Sequence, residues 1–313
     1  MLSFVLKRIG SGILLVFVIS SLTFAMLRMT GQDVARTIVG QTASAEQAAA
    51  KRAELGLDQP LPVQFGQWLG QMARGDFGSS WFTGAPVATS LGDRLPVTLS
   101  IVITALLISA VLSSLLGVAA ALRGGWLDRA LQIVAVVGFA IPGFLLALLL
   151  TYYVAVSWNL LPATGYVRPS ESPVEWARSI TLPAIALAVG VMAATAQQIR
   201  GSMVEVLRMD YIRTLKARGL PSHSVLYKHA LRNAAPAGLT VLSLQFIAMV
   251  GGAVVVEKVF GLQGIGTMAN NAASVGDSPE LMGVVVLMVA IVVFINLLLD
   301  IAFGLLNPKV RVS

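Results

Sequence analysis

The segment Arg200–Asn233, RGSMVEVLRMDYIRTLKARGLPSHSVLYKHALRN, decides how the rest of the chain is read. It sets Arg200, Arg208, Arg213, Lys216, Arg218, Lys228 and Arg232 against only Glu205 and Asp210, and it lies between two long apolar runs. A segment this charged cannot reside in hydrocarbon, and its basic excess assigns it to the cytoplasmic side of a membrane. A cytoplasmic loop of this size in so hydrophobic a chain calls for a partner.

On either side of the segment, uncharged intervals approach or exceed the roughly 20 residues that a spanning helix needs at 1.5 Å rise each. Six such intervals occur, within Ile9–Leu27, Leu95–Leu122, Ala130–Trp158, Ser179–Ile199, Asn233–Val256 and Leu281–Leu299. Lys7 and Arg8, Arg123 and Arg129, the Arg200–Arg232 cluster, and Lys309 and Arg311 fall on one side of these intervals. Most of the acids fall on the other, among them Asp33, Glu46, Glu54, Asp58, Asp76, Asp93, Glu171, Glu175, Asp277 and Glu280. The positive-inside rule then gives six crossings with both termini cytoplasmic. The first interval is read as a retained helix, since its apolar core is long and no small-residue cleavage site follows it.

Composition agrees. Of 313 residues, 56% are hydrophobic and 12% charged, against about 25% charged in soluble domains, and the mean hydropathy is +0.81. The fold class expected is an all-α integral membrane protein. The net charge of +7 does not point to nucleic acid, because the basic residues flank apolar runs instead of forming one patch. The absence of cysteine excludes disulfides, iron–sulfur clusters and thiolate metal sites.

The boundaries expected are a first segment 1–29, an external subdomain 30–94 and a core 95–313 that includes the hairpin 200–233. The subdomain holds helix-compatible stretches at Ser44–Leu55 and Val63–Met72, a turn at Gly56–Pro60, and Trp68, Phe77, Trp81 and Phe82. Aromatic rings favour the membrane interface, so it reads either as an interfacial cap or as a docking surface for an external partner. Repeats of solenoid type are not evident, and no soluble domain of ordinary size is present to supply an energy source.

Within the hairpin, Val204, Leu207, Tyr211 and Leu215 recur at steps of three and four, which predicts one amphipathic helix. Gly219 stands where a helix can end in a left-handed residue, and Pro221 where a second helix, about Ser222–Asn233, can begin at its first position.

At these residues the chain resembles the membrane-spanning permeases of binding-protein-dependent ABC importers, in the dipeptide, oligopeptide and nickel branch. Arg213-Thr214-Leu215 takes the place of the family's EAA motif, Gly219 its glycine, and His229-Ala230-Leu231-Arg232 its ending. The resemblance extends along nearly the whole length, through Gly56–Pro60, Gly75–Ser79, Arg94–Leu99, Ile141–Phe144, Leu161–Gly165, Glu257–Phe260, Gly264–Gly266 and Asp277–Pro279. Where the family has Pro-Gly before the second glycine, this chain has Gln263-Gly264.

The resemblance implies a type I importer permease in a bacterial inner membrane, embedded in lipid. It would pair with a second homologous permease, two ABC ATPases beneath and an extracytoplasmic solute-binding protein above. ATP and Mg would be used by the ATPases, with no cofactor bound by this chain. The hairpin would be a coupling helix, with Asp210, Tyr211, Arg213, Thr214, Ala217, Gly219, His229, Leu231, Arg232 and Asn233 as the residues carried over. Peptides are the expected cargo. Glutathione, a nickel chelate, haem or an opine are alternatives within the branch.

Breaks at Gly138, Pro142 and Gly143 beside Phe144, the pair Gly251 and Gly252, and Glu257 and Phe260 at the end of the fifth interval are candidates for a pathway or gate. Close packing is an equal reading for the glycines, and a boundary ion pair with Lys258 or a basic residue of a partner permease is the favoured reading of Glu257, where the helix leaves the bilayer. Asn296 and Asp300, one turn apart, are read as packing residues of the last span. His223 and His229, six apart and without a carboxylate or cysteine cluster, do not make a metal site. An ion-coupled transporter would carry ionisable residues at mid-bilayer, and the central parts of all six intervals lack them. No H-E-x-x-H, G-x-S-x-G or Walker A pattern marks an enzyme.

Overall fold

The computed structural model describes residues 2–29, 33–40 and 42–306. Lys309 and Arg311, used above for orientation, lie outside the described residues, as do the side chains of Lys7 and Asp300. The described regular elements are helical, joined by turns and by an isolated antiparallel bridge between Ser79 and Pro86. The chain divides into two compact units: Leu2–Val97 with Gln263–Val293, and Thr98–Leu262 with the residues from Phe294 on.

The first unit contains α1 (Leu2–Met29), α2 (Val34–Val39), α3 (Ala45–Glu54), α4 (Leu61–Ala73) and α12 (Ile265–Val275), with the starts of α5 (Val87–Arg123) and α13 (Ser278–Leu306). Its helix starts are written locally. Asp33 accepts a hydrogen bond from the Arg36 amide and caps α2, while Ser44 and Gln47 form a reciprocal capping box on α3. The Arg52 guanidinium also bonds the Asp33 carboxylate and holds it below the usual carboxylate range. Both helices expected between residues 44 and 72 are therefore present.

The core of this unit joins Val87 and Leu91 of α5 to Ile265 and Met268 of α12 and Val284 of α13. Asp277 is buried beside it, accepting the Ser80 hydroxyl at 2.5 Å and the Trp81 amide at 3.3 Å. Buried carboxylates require such donors, so this pair ties the 79–81 turn to the start of α13.

The second unit is built on α8 (Pro173–Arg208) and α11 (Arg232–Val259), which pack extensively on each other. Close approach is possible because Gly117 and Gly238 flank Ile199. A Cβ on Gly117 would lie 2.7 Å from the Ala196 carbonyl oxygen, and one on Gly238 2.7 Å from Ile199 Cγ1. Around this pair lie α6 (Gly125–Ala140), α7 (Gly143–Leu150) with its π-helical continuation Thr151–Ser157, α9 (Asp210–Ala217) and α10 (Ser222–Ser224).

Among the described residues, five helical stretches are long and apolar enough to cross a membrane: Arg8–Met29, Val87–Arg123, Pro173–Arg208, Ser222–Val259 and Ser278–Leu299. A sixth crossing is reached if the bent pair Asp128–Gly138 and Gly143–Ser157 counts as one. The interruption read at Pro142 and Gly143 falls within that pair, whose halves bend by 96°. Pro142 has no amide hydrogen, and it forces Ile141 into an extended conformation (φ −84°, ψ 116°), which ends α6. Other helices outrun their uncharged intervals. At 37 residues α5 is about 55 Å long against a hydrocarbon core of about 30 Å, so its ends carry polar residues such as Asp93, Arg94 and Arg123 past the lipid.

Candidate functional site

The hairpin is a folded element with its own apolar core. Ile199, Met203 and Val206 of α8, Ile212 of α9, Val225 and Ala230 of the π-helical stretch and Ala234 of α11 are buried together. Partly buried Val118 and Ala121 of α5 pack against them. A hydrogen bond closes the hairpin across its two arms: Asn233 Nδ2 donates to Tyr211 Oη at 3.1 Å, and it is oriented within its own arm by the His229 carbonyl at 2.8 Å. The Ser202 hydroxyl donates to the Ala234 carbonyl at 3.3 Å.

Two local expectations are corrected. The predicted amphipathic helix is not continuous, because Met209 adopts an extended conformation (ψ 146°) that separates α8 from α9. Leu207 and Tyr211 nevertheless reach the same core, so the apolar periodicity survived the break. Pro221 is the N-cap of the second arm and not its first helical residue, and that arm passes through π-helical turns at Val225–Leu231 before joining α11. Gly219 does take the left-handed conformation, with φ +80°. Its amide donates to the Lys216 carbonyl at 3.0 Å while the Leu220 amide returns to Leu215.

With the apolar side turned inward, the polar side is exposed. Arg213 and Asp210 form a loose pair at 3.3 Å with side chains 75% and 94% exposed, too open to contribute much to stability. Thr214, Lys216, Ala217, Arg218, Lys228 and Arg232 are exposed as well, while His229 and Leu231 are half-buried. Arg200 behaves differently. It forms a bidentate pair with Asp128 near the start of α6, Nη2 to Oδ2 at 2.6 Å, and so braces the hairpin's root. Nothing in the spacing of Asp128 and Arg200, 72 residues apart, signals that pair.

The pathway candidates separate into three places. Pro142 and Gly143 line a cavity of about 310 Å³ between the α6–α7 break, α8 and α11. Gly252 is half-buried, where an added Cβ would lie 3.4 Å from Leu187; Gly251 and Phe144 are exposed. Glu257 and Phe260 are buried at the C-terminal end of α11. The cavity also draws on Gly138, a candidate in the sequence with Pro142 and Gly143, and on Gly190 and Gln245, which sequence reasoning does not single out. Gln245, a lone amide in an apolar span, was the available signal.

Glu257 is fully buried, and its carboxylate accepts the Thr98 hydroxyl of α5 at 2.5 Å. Two residues further along α5, Ser100 Oγ lies 3.1 Å from Tyr166 Oη and accepts the Trp176 indole N–H at 3.1 Å. The Gly165 amide donates to the Phe260 carbonyl, and Gly261 (φ +61°) abuts Thr164. Three motif-bearing segments, around residues 98, 164 and 257, and the start of α8 at Trp176 are thus tied together by polar contacts. The side chain of Asn296 keeps its carbonyl oxygen buried without a hydrogen bond among the described residues.

Two family models match the chain. The binding-protein-dependent transport system inner membrane component covers residues 113–312, and the N-terminal part of such membrane components covers residues 1–102. A probable peptide ABC transporter permease of Sinorhizobium fredii is 38% identical over 98% of this chain and 99% of its own length. A Brucella abortus protein, named as a peptide transport system permease, is 38% identical over 99% of both chains. The glutathione transport system permease of Salmonella typhi is 36% identical over 99% of both.

Proposed function

Because the chain belongs to the binding-protein-dependent transport system inner membrane component family, we propose that its hairpin couples the ATPases of a peptide importer to a translocation pathway formed with a second, homologous permease. The chain is a multi-pass membrane permease and a transport component, not an enzyme. The observation that carries the coupling role is the hairpin's construction, a sealed apolar core under an exposed basic surface between two membrane-length helices. Such an element transmits displacement as a rigid body and needs charge complementarity with its partner, not reactive groups.

In this reading the hairpin and both termini are cytoplasmic, following the basic loops. ATP and Mg belong to two ATPase subunits, whose closure would push the hairpin and tilt α8 and α11. A solute-binding protein delivers cargo at the opposite face. The cavity beside the Ile141–Pro142 bend is walled in part by the same two helices, which gives that motion a place to change the pathway. Di- or oligopeptides are the proposed cargo, from the names of the Sinorhizobium and Brucella relatives. Glutathione, itself a tripeptide, is a second reading favoured by the Salmonella relative.

Gentle purification from the native membrane tests the assembly. A second permease and two P-loop ATPases should co-elute, and mass spectrometry of ligand retained by the cognate binding protein should show a peptide. A stable homo-oligomer without an ATPase, repeated across mild detergents, would overturn the proposal.

A further inference from the structure

Helix α4 differs from its neighbour α3. In ten residues α3 carries Glu46, Lys51, Arg52 and Glu54, the composition of a helix in water. From Leu61 to Ala73 α4 carries no charged residue, and none of those residues is buried within the protein. An uncharged, largely apolar stretch of about 10–14 residues belongs to a buried core helix or to a segment lying in a membrane, and the exposure of α4 excludes the first.

The polar residues of α4 fall on one narrow face. Gln64, Gln67 and Gln71, with Arg74 just beyond the helix end, recur at steps of three and four. The three glutamines border the same small cavity as Arg28 of α1. Apolar residues are left on the outside: Leu61 and Val63 are 50% and 45% exposed, and Pro62, Gly66 and Gly70 are exposed with them. A surface helix in water shows the reverse, with its polar face outward.

Ring contacts set the depth of this helix. Phe65 lies 6.1 Å from Phe17 and 5.3 Å from Phe24 of α1, centroid to centroid. The membrane-length stretch of α1 runs over Arg8–Met29, so Phe17 stands near mid-span. At about 1.5 Å per residue, Phe24 and Phe17 are about 8 and 18 Å below Met29, and half of the hydrocarbon core is about 15 Å. Phe65 is therefore level with acyl chains, whereas Arg28 in the last turn of α1 marks the headgroups. Leu14, Val18 and Leu22 of α1 remain exposed, so the outward face of α4 continues the lipid-facing surface of a crossing helix. The 13 residues of α4 reach about 20 Å, too short to cross about 30 Å of hydrocarbon.

We propose that α4 is immersed in the leaflet around the C-terminal end of α1, with Leu61, Val63 and the Gly66–Gly70 face against phospholipid acyl chains, as a membrane-embedded helix that does not cross. The proposal requires that α1 crosses the membrane and draws on neither the coupling nor the cargo proposed above. Because the chain has no cysteine, single nitroxide labels can be placed through Leu61→Cys and Val63→Cys, with Ala49→Cys on the exposed side of α3 as the aqueous reference. The labelled full-length chain, with the importer subunits that co-purify, is returned to phospholipid nanodiscs. Power-saturation EPR then compares collisions with molecular oxygen, which concentrates in hydrocarbon, against collisions with chromium oxalate, which stays in water. At positions 61 and 63 oxygen access should exceed chromium oxalate access several-fold, and at position 49 the order should reverse. Chromium oxalate access at 61 and 63 equal to that at 49 would place α4 in water and overturn the proposal. Low access to both reagents would overturn it too, since a protein partner would then cover this face. Either position carries the test if the other substitution prevents folding.

Discussion

The hairpin at 200–233 and the break at 138–143 both interrupt membrane helices, yet they are built in opposite ways. The hairpin is polar by composition and nonetheless encloses Ile212, Met203, Val225 and Ala230 in a sealed core. The break is apolar by composition and leaves a cavity beside Gly138, Pro142 and Gly143. Rigidity here follows packing, not hydrophobicity: a charged segment with its own core moves as a unit, and an apolar one without close packing can yield. A transporter needs both properties, one where force enters and one where the pathway must change shape.

The strongest test breaks the rigid member. Gly219 holds φ +80° and donates its amide to Lys216. Proline is fixed near −65° and has no amide hydrogen. Gly219→Pro is expected to abolish uptake in membrane vesicles while leaving membrane insertion intact, and full uptake would remove the hairpin from the mechanism. Next in size is Ile212→Ala, which empties a fully buried site in the same core. A loss of about 2–5 kcal/mol of local stability is expected, visible as faster amide exchange over 203–230 and reduced coupling of ATP hydrolysis to uptake. Unchanged exchange would show that the core does not stiffen the hairpin.

How far the chain could be read before folding depends on which physics is local. The crossing intervals, the capped helices at Ser44 and Asp33, and the left-handed Gly219 follow from composition and from contacts within a few residues. Pro142 was recognised as an interruption, but the 96° bend was not, because its angle depends on what α8 and α11 leave free beside it. The Met209 break and the π-helical turns at 225–231 were likewise hidden, since the same apolar spacing serves a continuous helix and a broken one. Glu257 with Thr98 and Asp128 with Arg200 are 159 and 72 residues apart. No spacing rule reaches such pairs, and a lone charge in the sequence shows only that some partner is needed.

Charge reversal addresses the hairpin's outer face without touching its core. Arg213 and Arg232 are exposed, and the Asp210 pair is too open to anchor Arg213. Arg213→Glu and Arg232→Glu are each expected to leave folding unchanged and to weaken ATPase association by roughly tenfold, with a steeper dependence on salt in the wild type than in either variant. Equal ATPase stimulation and uptake in both variants would confine coupling to shape alone.

The smallest effect on folding, and the sharpest on the comparison, comes from the compliant member. Gly190 of α8 lines the cavity, and a Cβ built there meets nothing within 4 Å. Gly190→Val therefore adds volume to the cavity without a clash at Cβ, and the change in helix propensity is within about 0.5 kcal/mol. If the cavity is the space into which the bent pair moves, partial filling should reduce uptake several-fold while melting temperature and ATPase binding stay at their wild-type values. Wild-type uptake in this variant would mean that the bend is a fixed feature of the packing. The yielding part of the mechanism would then have to lie at another helix contact of the same unit, with the Thr98–Glu257 contact as the next place to look.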